Sequence, residues 1–318
     1  MRQESQKLPK LVVILGPTAC GKTNWSLQLA KKYKGEIISA DSRQIYKKMD
    51  IGTAKEPGEW RRSGLSKVYY IEDIPHHLVD FLNPGKIFSV AEFRDQAIKH
   101  IKSIHKSGKL PLITGGTGLY ISSVVENMHI PRVTPNNKLR KSLAEKSNDE
   151  LIQLLFQMDP EIIETIDHNN KRRIIRALEV CIFTGEPFSK QRSKGDPLFD
   201  TLQIGIDVPR DVLYDRINKR IDEMMKLGLL KEVEDLVRQK YGWVLPSMNG
   251  IGYRQFKDYF EKKITLDETI ERLKRDTRRY ARRQASWFRR DKKIKWRSEY
   301  EDAEKLVDEF LINTSSSY

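Results

Sequence analysis

The folded part of the chain opens on an unbroken apolar run, Leu11-Val12-Val13-Ile14-Leu15. A run of that length without polar alternation predicts a strand buried on both faces, as in a parallel sheet. Small and polar residues follow from Gly16 to Thr23, and then a helical spacing that lasts to about Tyr33. Glu36-Ile37-Ile38-Ser39-Ala40, residues 109–114 and residues 202–207 repeat the short apolar run, each bounded by turn residues. Strands alternating with helices imply a parallel sheet covered by helices.

Between Ser122 and Asp200 that alternation stops. Asn148–Met158 and residues 171–183 carry helical spacing with no strand between them. The pattern predicts a helical insertion over 123–199 in a core domain built from 1–122 and 200–318. Past Val208-Pro209 it predicts helices over residues 210–227, 229–239, 266–290 and 303–312. The polar tail, residues 313–317, is expected to fray.

Composition changes this picture mainly through charge. The 318 residues hold 58 Lys+Arg against 44 Asp+Glu, a net +14. Residues 271–297 alone hold 13 of the basic and 3 of the acidic residues, a net +10, so the surplus is local. At 100° per residue, Leu273, Thr277, Tyr280, Gln284, Trp287 and Phe288 fall on one stripe, which assigns Trp287 to the core first and to RNA second. Arg275, Arg278, Arg279, Arg282, Arg283, Arg289 and Arg290 fall opposite. A solvated helix face usually mixes its signs, and crowded arginines repel one another unless an anion arrives. Nucleic acid suits this face better than a membrane surface, because the opposite stripe includes Thr277 and Gln284.

No apolar run approaches the ~18 residues a membrane span needs, and the first ten residues lack a secretory h-region. Two cysteines, Cys20 and Cys181, exclude a disulfide scaffold and point to a reducing, cytoplasmic compartment.

Gly16-x4-Gly21-Lys22-Thr23 is a complete P-loop pattern, with a strand before it and a helix after it. Its backbone N–H groups and the helix dipole suit a phosphate chain, Lys22 suits terminal phosphate charge, and the Thr23 hydroxyl suits Mg²⁺. The expected fold class is thus α/β: a P-loop NTPase-like parallel sheet flanked by helices, with a helical insertion domain. Cys20 reads as a tolerated small residue, with thiol oxidation as the alternative. The strand at 109–114 runs into Gly115-Gly116-Thr117-Gly118 and lacks the terminal acid of a P-loop ATPase. Asp41 ends the second strand, where a general base and a helix N-cap are equally open readings. His76 and His77 have no Cys or His partner at ligand spacing and read as structural or pocket-lining.

The runs at 16–23, 41–46 and 49–55, with those at 75–80, 115–120, 173–180, 250–254, 277–284 and 287–289, closely resemble the tRNA dimethylallyltransferases, the adenosine-37 isopentenyltransferase family. The likeness runs in order from about Leu11 to Arg290. It implies transfer of a dimethylallyl group from dimethylallyl diphosphate to N6 of adenosine 37 in the tRNA anticodon stem-loop. It implies that Gly16, Pro17, Thr18, Ala19, Cys20, Gly21, Lys22 and Thr23 hold the donor's diphosphate with Mg²⁺ on Thr23. Arg220 is the matching arginine on the departing diphosphate, with Arg216 one turn earlier, and Asp41 is the matching base with Thr117 beside the substrate. The implied tRNA contacts are Asp41, Ser42, Arg43, Gln44, Thr117, Arg140, Arg172, Arg173, Arg176, Gly252, Tyr253, Arg254, Arg278, Arg282, Arg283, Gln284, Trp287 and Arg289.

The target adenine is expected to leave its stack and enter opposite the prenyl donor. A monomer is expected. One departure stands in the loop at 49–55: Glu56 separates Lys55 from Pro57, where the family usually has proline directly after the lysine. Three rival classes share some of these features: a transferase acting on free adenine nucleotides, a small-molecule kinase, and a non-enzymatic RNA-binding module.

Overall fold

The computed structural model describes residues 8–64, 66–191 and 193–312, so the polar tail at 313–317 lies outside the described residues. The chain divides into two compact units, Met1–Ile121 with Leu198–Tyr318, and Ser122–Pro197. The sequence pattern set the insertion at 123–199.

In chain order the elements begin with β1 (Lys10–Leu15), α1 (Lys22–Lys32), β2 (Glu36–Ser39), β3 (Glu59–Ser63), β4 (Ser66–Ile71) and β5 (Ile74–His77). Then come α2 (Val90–Lys106), β6 (Pro111–Gly115), α3 (Gly118–Val125), α4 (Asn137–Glu145), α5 (Asn148–Met158) and α6 (Lys171–Thr184). The chain continues through β7 (Asp200–Ile206), α7 (Arg210–Lys226), α8 (Leu229–Arg238), α9 (Lys257–Phe260), α10 (Leu266–Phe288), β8 (Lys295–Arg297) and α11 (Tyr300–Ile312).

One sheet organises the larger unit, in the order β3-β4-β5-β2-β6-β1-β7-β8. Pairing is parallel from β5 through β8, with the apolar run of β1 between β6 and β7. Val12 and Ile14 are fully buried there, as a strand covered on both faces requires. β4 runs antiparallel to both β3 and β5, a hairpin at the sheet edge that the apolar pattern does not predict. Glu59-Trp60-Arg61-Arg62 offers no apolar run because an edge strand needs charge to discourage pairing with other chains.

In the smaller unit, Leu151 and Leu155 of α5 pack with Ile174, Ala177, Leu178 and Cys181 of α6. Glu179 lies buried in this unit and accepts two bonds from Arg140, one from Arg176 and one from the Asn136 amide. Burial alone would raise its carboxyl pKa, but those donors outweigh it and hold the group below its usual range. Arg140 and Arg176, expected as tRNA contacts, are therefore committed to an internal carboxylate, while Arg172 and Arg173 are exposed. Among the described residues, no helix is long and apolar enough to cross a membrane.

Candidate active site

The phosphate loop bridges β1 and α1. Gly16 and Gly21 hold φ of +153° and +101°, conformations that a side chain would strain, and no side chain caps α1. First-turn amides are thereby left for an anion. Lys22 donates to the Pro17 carbonyl at 2.8 Å and lies 3.9 Å from the Cys20 sulfur. The Thr23 hydroxyl has no partner among the described residues.

A cavity of about 340 Å³ lies over this loop, lined by Thr18, Ala19, Gly21, Lys22, Thr23, Asp41, Gln44, Arg216 and Arg220 among others. Gly16, Pro17 and Cys20, expected to bind the diphosphate, do not line it. Gly16 and Cys20 instead pack together: a Cβ on Gly16 would stand 2.8 Å from the Cys20 sulfur. The Thr18 amide is also spent, because it donates to Gln284 Oε1 at 2.8 Å.

Arg220 projects from α7 and donates to the Thr18 hydroxyl. Burial lowers its guanidinium pKa, while the fields of Cys20, Glu56, Asp41 and Glu223 act the other way. Half-buried positive charge beside a phosphate loop is suited to a departing diphosphate.

Asp41 does not cap a helix, since turns and not a helix follow it. Its Oδ1 accepts the amides of Arg43 at 2.8 Å and Gln44 at 3.3 Å, an Asx turn that orients the group. The other oxygen, Oδ2, has no partner among the described residues, which leaves it open to a proton. Thr117 lines neither cavity; its hydroxyl accepts the Ser42 amide at 3.1 Å and so fixes the start of the turn.

A second cavity of about 330 Å³ shares Thr18, Thr53, Ala54 and Arg220 with the first. Its remaining wall includes Ser42, Arg43, Gly252, Arg254, Thr277, Tyr280 and Arg283, with Ile221, Met224, Ile251 and Leu273 as the apolar part. Sequence reasoning missed those four and Tyr280 as cavity residues, because periodicity marks them only as inward-facing. Burial pushes the Tyr280 phenol up to about 12, and the Asp41 carboxylate adds to that shift. Arg43 spends one guanidinium nitrogen on the Pro246 carbonyl.

Two further expectations are corrected. Tyr253 cannot touch RNA: it is fully buried, and its hydroxyl donates to Glu232 at 2.7 Å. Gln284 is buried too, linking the Thr18 amide to the Gly116 carbonyl. Trp287, read first as core, is 43% exposed and lies over Gly118, where a Cβ would meet the indole at 2.3 Å.

On α10 the buried stripe is Thr269, Leu273, Thr277, Ala281, Gln284 and Phe288. Arg275, Arg279, Arg282, Arg283 and Arg290 are exposed, with no acidic partner among the described residues. The other arginines of this region are engaged. Arg278 donates to Asn218 at 2.6 Å, Arg289 pairs with Asp207 at 2.6 Å, and Arg254 pairs with Asp276 at 3.3 Å. His76 is buried against the Ile74 carbonyl and His77 binds Glu36 at 2.7 Å. Among the described residues no His, Cys, Asp and Glu group is arranged to hold a metal by itself.

Comparisons with known proteins place the chain in a family. A family model described as IPP transferase matches residues 44–291. A tRNA dimethylallyltransferase of Roseiflexus sp. (strain RS-1) is 46% identical over 284 residues, 88% of this chain and 90% of the relative. One from Acetivibrio thermocellus is 44% identical over 309 residues, 94% of this chain and 96% of the relative. Among solved structures, the full-length tRNA isopentenylpyrophosphate transferase of Bacillus halodurans superposes with a TM-score of 0.67 at 37% identity, covering 96% of each chain. A eukaryotic dimethylallyltransferase acting on tRNA gives 0.73 at 30% identity, covering 88% of this chain and 69% of the other. With a family model matched over most of its length and near full-length relatives above 40% identity, this chain belongs to the IPP transferase family.

Proposed function

We propose that this protein transfers a dimethylallyl group from dimethylallyl diphosphate to N6 of adenosine 37 in the anticodon loop of tRNA, releasing diphosphate. The observation that carries the reading is the common wall of the two cavities. Thr18, Thr53, Ala54 and Arg220 border both, with the phosphate loop on one side and an aromatic, arginine-bearing wall on the other. A donor diphosphate and an acceptor base can thus be brought to one point from two directions.

The N6 lone pair attacks C1 of the dimethylallyl group, and the C1–O bond breaks with its electron pair going to the diphosphate. The N6 proton passes to Asp41, whose orientation is set by the Arg43 and Gln44 amides. Lys22, Arg220 and the first-turn amides of α1 take up the charge developing on the leaving group. Thr23 fits a Mg²⁺ site of the usual kind, in which one protein hydroxyl joins phosphate oxygens and waters. Bound there, the ion would neutralise diphosphate charge.

The exposed arginines Arg275, Arg279, Arg282, Arg283 and Arg290, with Arg172 and Arg173 on the smaller unit, are the RNA contacts we assign. They separate this reading from a transferase acting on free nucleotides, which has no use for a long basic face. The test is incubation with labelled dimethylallyl diphosphate, Mg²⁺ and either unmodified tRNA or AMP. Label in tRNA supports the proposal. Label in AMP alone reassigns the acceptor, and phosphoryl transfer from ATP without prenylation makes the protein a kinase.

A further inference from the structure

We propose that Glu232, which lines neither cavity, is a positioning residue for this transfer: its carboxylate clasps the loop at 50–54 that walls both cavities and braces Gln44 beside Asp41. The inference rests on the transferase reading above.

Glu232 projects from α8, and four donors meet on its two oxygens. Oε2 accepts the amides of Asp50 and Ile51, each at 2.8 Å. Oε1 accepts the Gly52 amide at 2.9 Å and the Tyr253 hydroxyl at 2.7 Å. Three successive amides turned toward one point form an anion nest. Here the chain fills its nest with its own carboxylate, in bonds strengthened by the full negative charge.

The Tyr253 contact extends the clasp to a second segment. A Cβ on Gly252, whose φ is +102°, would stand 2.3 Å from the Gly52 carbonyl oxygen. A Cβ on Gly52 would stand 2.6 Å from the Tyr253 ring. The two glycine backbones therefore touch, and both residues border the second cavity.

From this anchor the loop reaches the proton acceptor. The Thr53 and Ala54 carbonyls accept Gln44 Nε2 at 3.3 and 3.0 Å, and the Gln44 amide donates to Asp41 Oδ1 at 3.3 Å. At the loop's far end, buried Lys55 donates to Asp50 at 2.5 Å, Asp80 at 2.7 Å and the Tyr46 carbonyl at 2.6 Å. Lys55 pins that end but satisfies none of the amides at 50–52. Among the described residues only Glu232 accepts those three amides, and it fixes them in place beside the loop's own turn bonds, from the Ala54 amide to the Ile51 carbonyl and from the Lys55 amide to the Asp50 carbonyl, each at 2.9 Å.

The test is E232Q, which keeps the side-chain shape but offers one acceptor oxygen to four donors. Hydrogen exchange at the amides of Asp50, Ile51 and Gly52 should accelerate by about tenfold or more. With tRNA and dimethylallyl diphosphate, kcat should fall by about 10–100-fold, the range expected when a reacting group is misplaced. The tRNA Kd should stay within about twofold of wild type, because the exposed arginines of α10 are untouched. Y253F, which removes one of the four bonds and no backbone contact, should give a smaller loss in the same direction. K231A, one residue away on the exposed side of α8, is the control for the helix itself.

Unchanged exchange at 50–52 in E232Q would overturn the clasp. Faster exchange with wild-type kcat would overturn its positioning role. So would a kcat loss matched by an equal loss of tRNA affinity, or a fall in folded protein that accounts for the lost rate in both variants. A wild-type protein that labels no tRNA would overturn the transferase reading itself, whereas an active wild type with an indifferent E232Q overturns this proposal alone.

Discussion

Gln284 of α10 accepts the Thr18 amide at 2.8 Å and donates to the Gly116 carbonyl at 2.8 Å. One side chain from the arginine helix thus braces both the phosphate loop and the turn that follows β6. The face assigned to RNA and the loop assigned to the prenyl donor share this buried strut.

Gln284→Ala should consequently act on the donor side and not on RNA affinity. It removes two hydrogen bonds beneath the phosphate loop and leaves a carbonyl and an amide short of partners, at a cost of about 1–3 kcal/mol. Thermal denaturation should show that loss, and the KM for dimethylallyl diphosphate should rise while the tRNA Kd holds. An unchanged KM would mean that the strut is only structural.

Asp41 serves two ends at once, and one substitution separates them. In Asp41→Asn the side-chain oxygen still accepts the Arg43 and Gln44 amides, so the turn and its melting temperature should persist. The variant has no carboxylate to take the N6 proton, and kcat should fall by roughly 10²–10⁴-fold with tRNA binding intact. A kcat near wild type would remove Asp41 as the base.

Part of this site is legible in the sequence. The apolar runs mark β1, β2, β6 and β7, and the glycine–lysine–threonine spacing marks the phosphate loop between β1 and α1. In the hairpin of β3 and β4 the β3 half is not legible, because Arg61 and Arg62 occupy a charged edge with no apolar period, whereas Val68-Tyr69-Tyr70-Ile71 of β4 is itself a strand signal. For α2 a signal was present: Ser89 and Glu92 form a capping box ahead of Phe93, Ala97, Ile101 and Ile104. The resemblance places Tyr253 and Gln284 against tRNA and nothing in the sequence marks Glu232, since each acts through a contact with residues distant along the chain. A helical period shows that Gln284 faces inward, but not that Thr18 waits there.

The arginine face divides into paired and unpaired members, and salt dependence should distinguish them. Arg279→Ala and Arg282→Ala should each weaken tRNA binding and reduce the slope of log Kd against log salt by about 1. Arg289→Ala should change that slope less, because Arg289 already pairs with Asp207 at 2.6 Å and lies over the Trp296 ring. Equal slopes for all three variants would dissolve the distinction.

Acid should destabilise the fold through histidines before it reaches the carboxylates. Burial lowers His76 and His100 to about 4, from an ordinary 6.5. Between those values the unfolded chain binds more protons than the folded one. Their stabilisation is therefore complete above pH 6.5 and is lost as the pH falls toward 4. For Glu36, burial acts upward, but the bonds from His77 and Lys109 prevail and hold it at about 2, so its contribution is lost only at pH below about 4.5. Melting temperatures measured from pH 7 downward should fall first in the histidine window, and His100→Gln should flatten that first decline.

The most direct measurement uses two transcripts of one tRNA, with adenosine or guanosine at position 37, incubated with labelled dimethylallyl diphosphate and Mg²⁺. Nucleosides from each are then separated and their label located. The account predicts N6-dimethylallyladenosine from the adenosine transcript and no label from the guanosine transcript. Equal labelling of both transcripts, or label entering AMP but neither transcript, would contradict it.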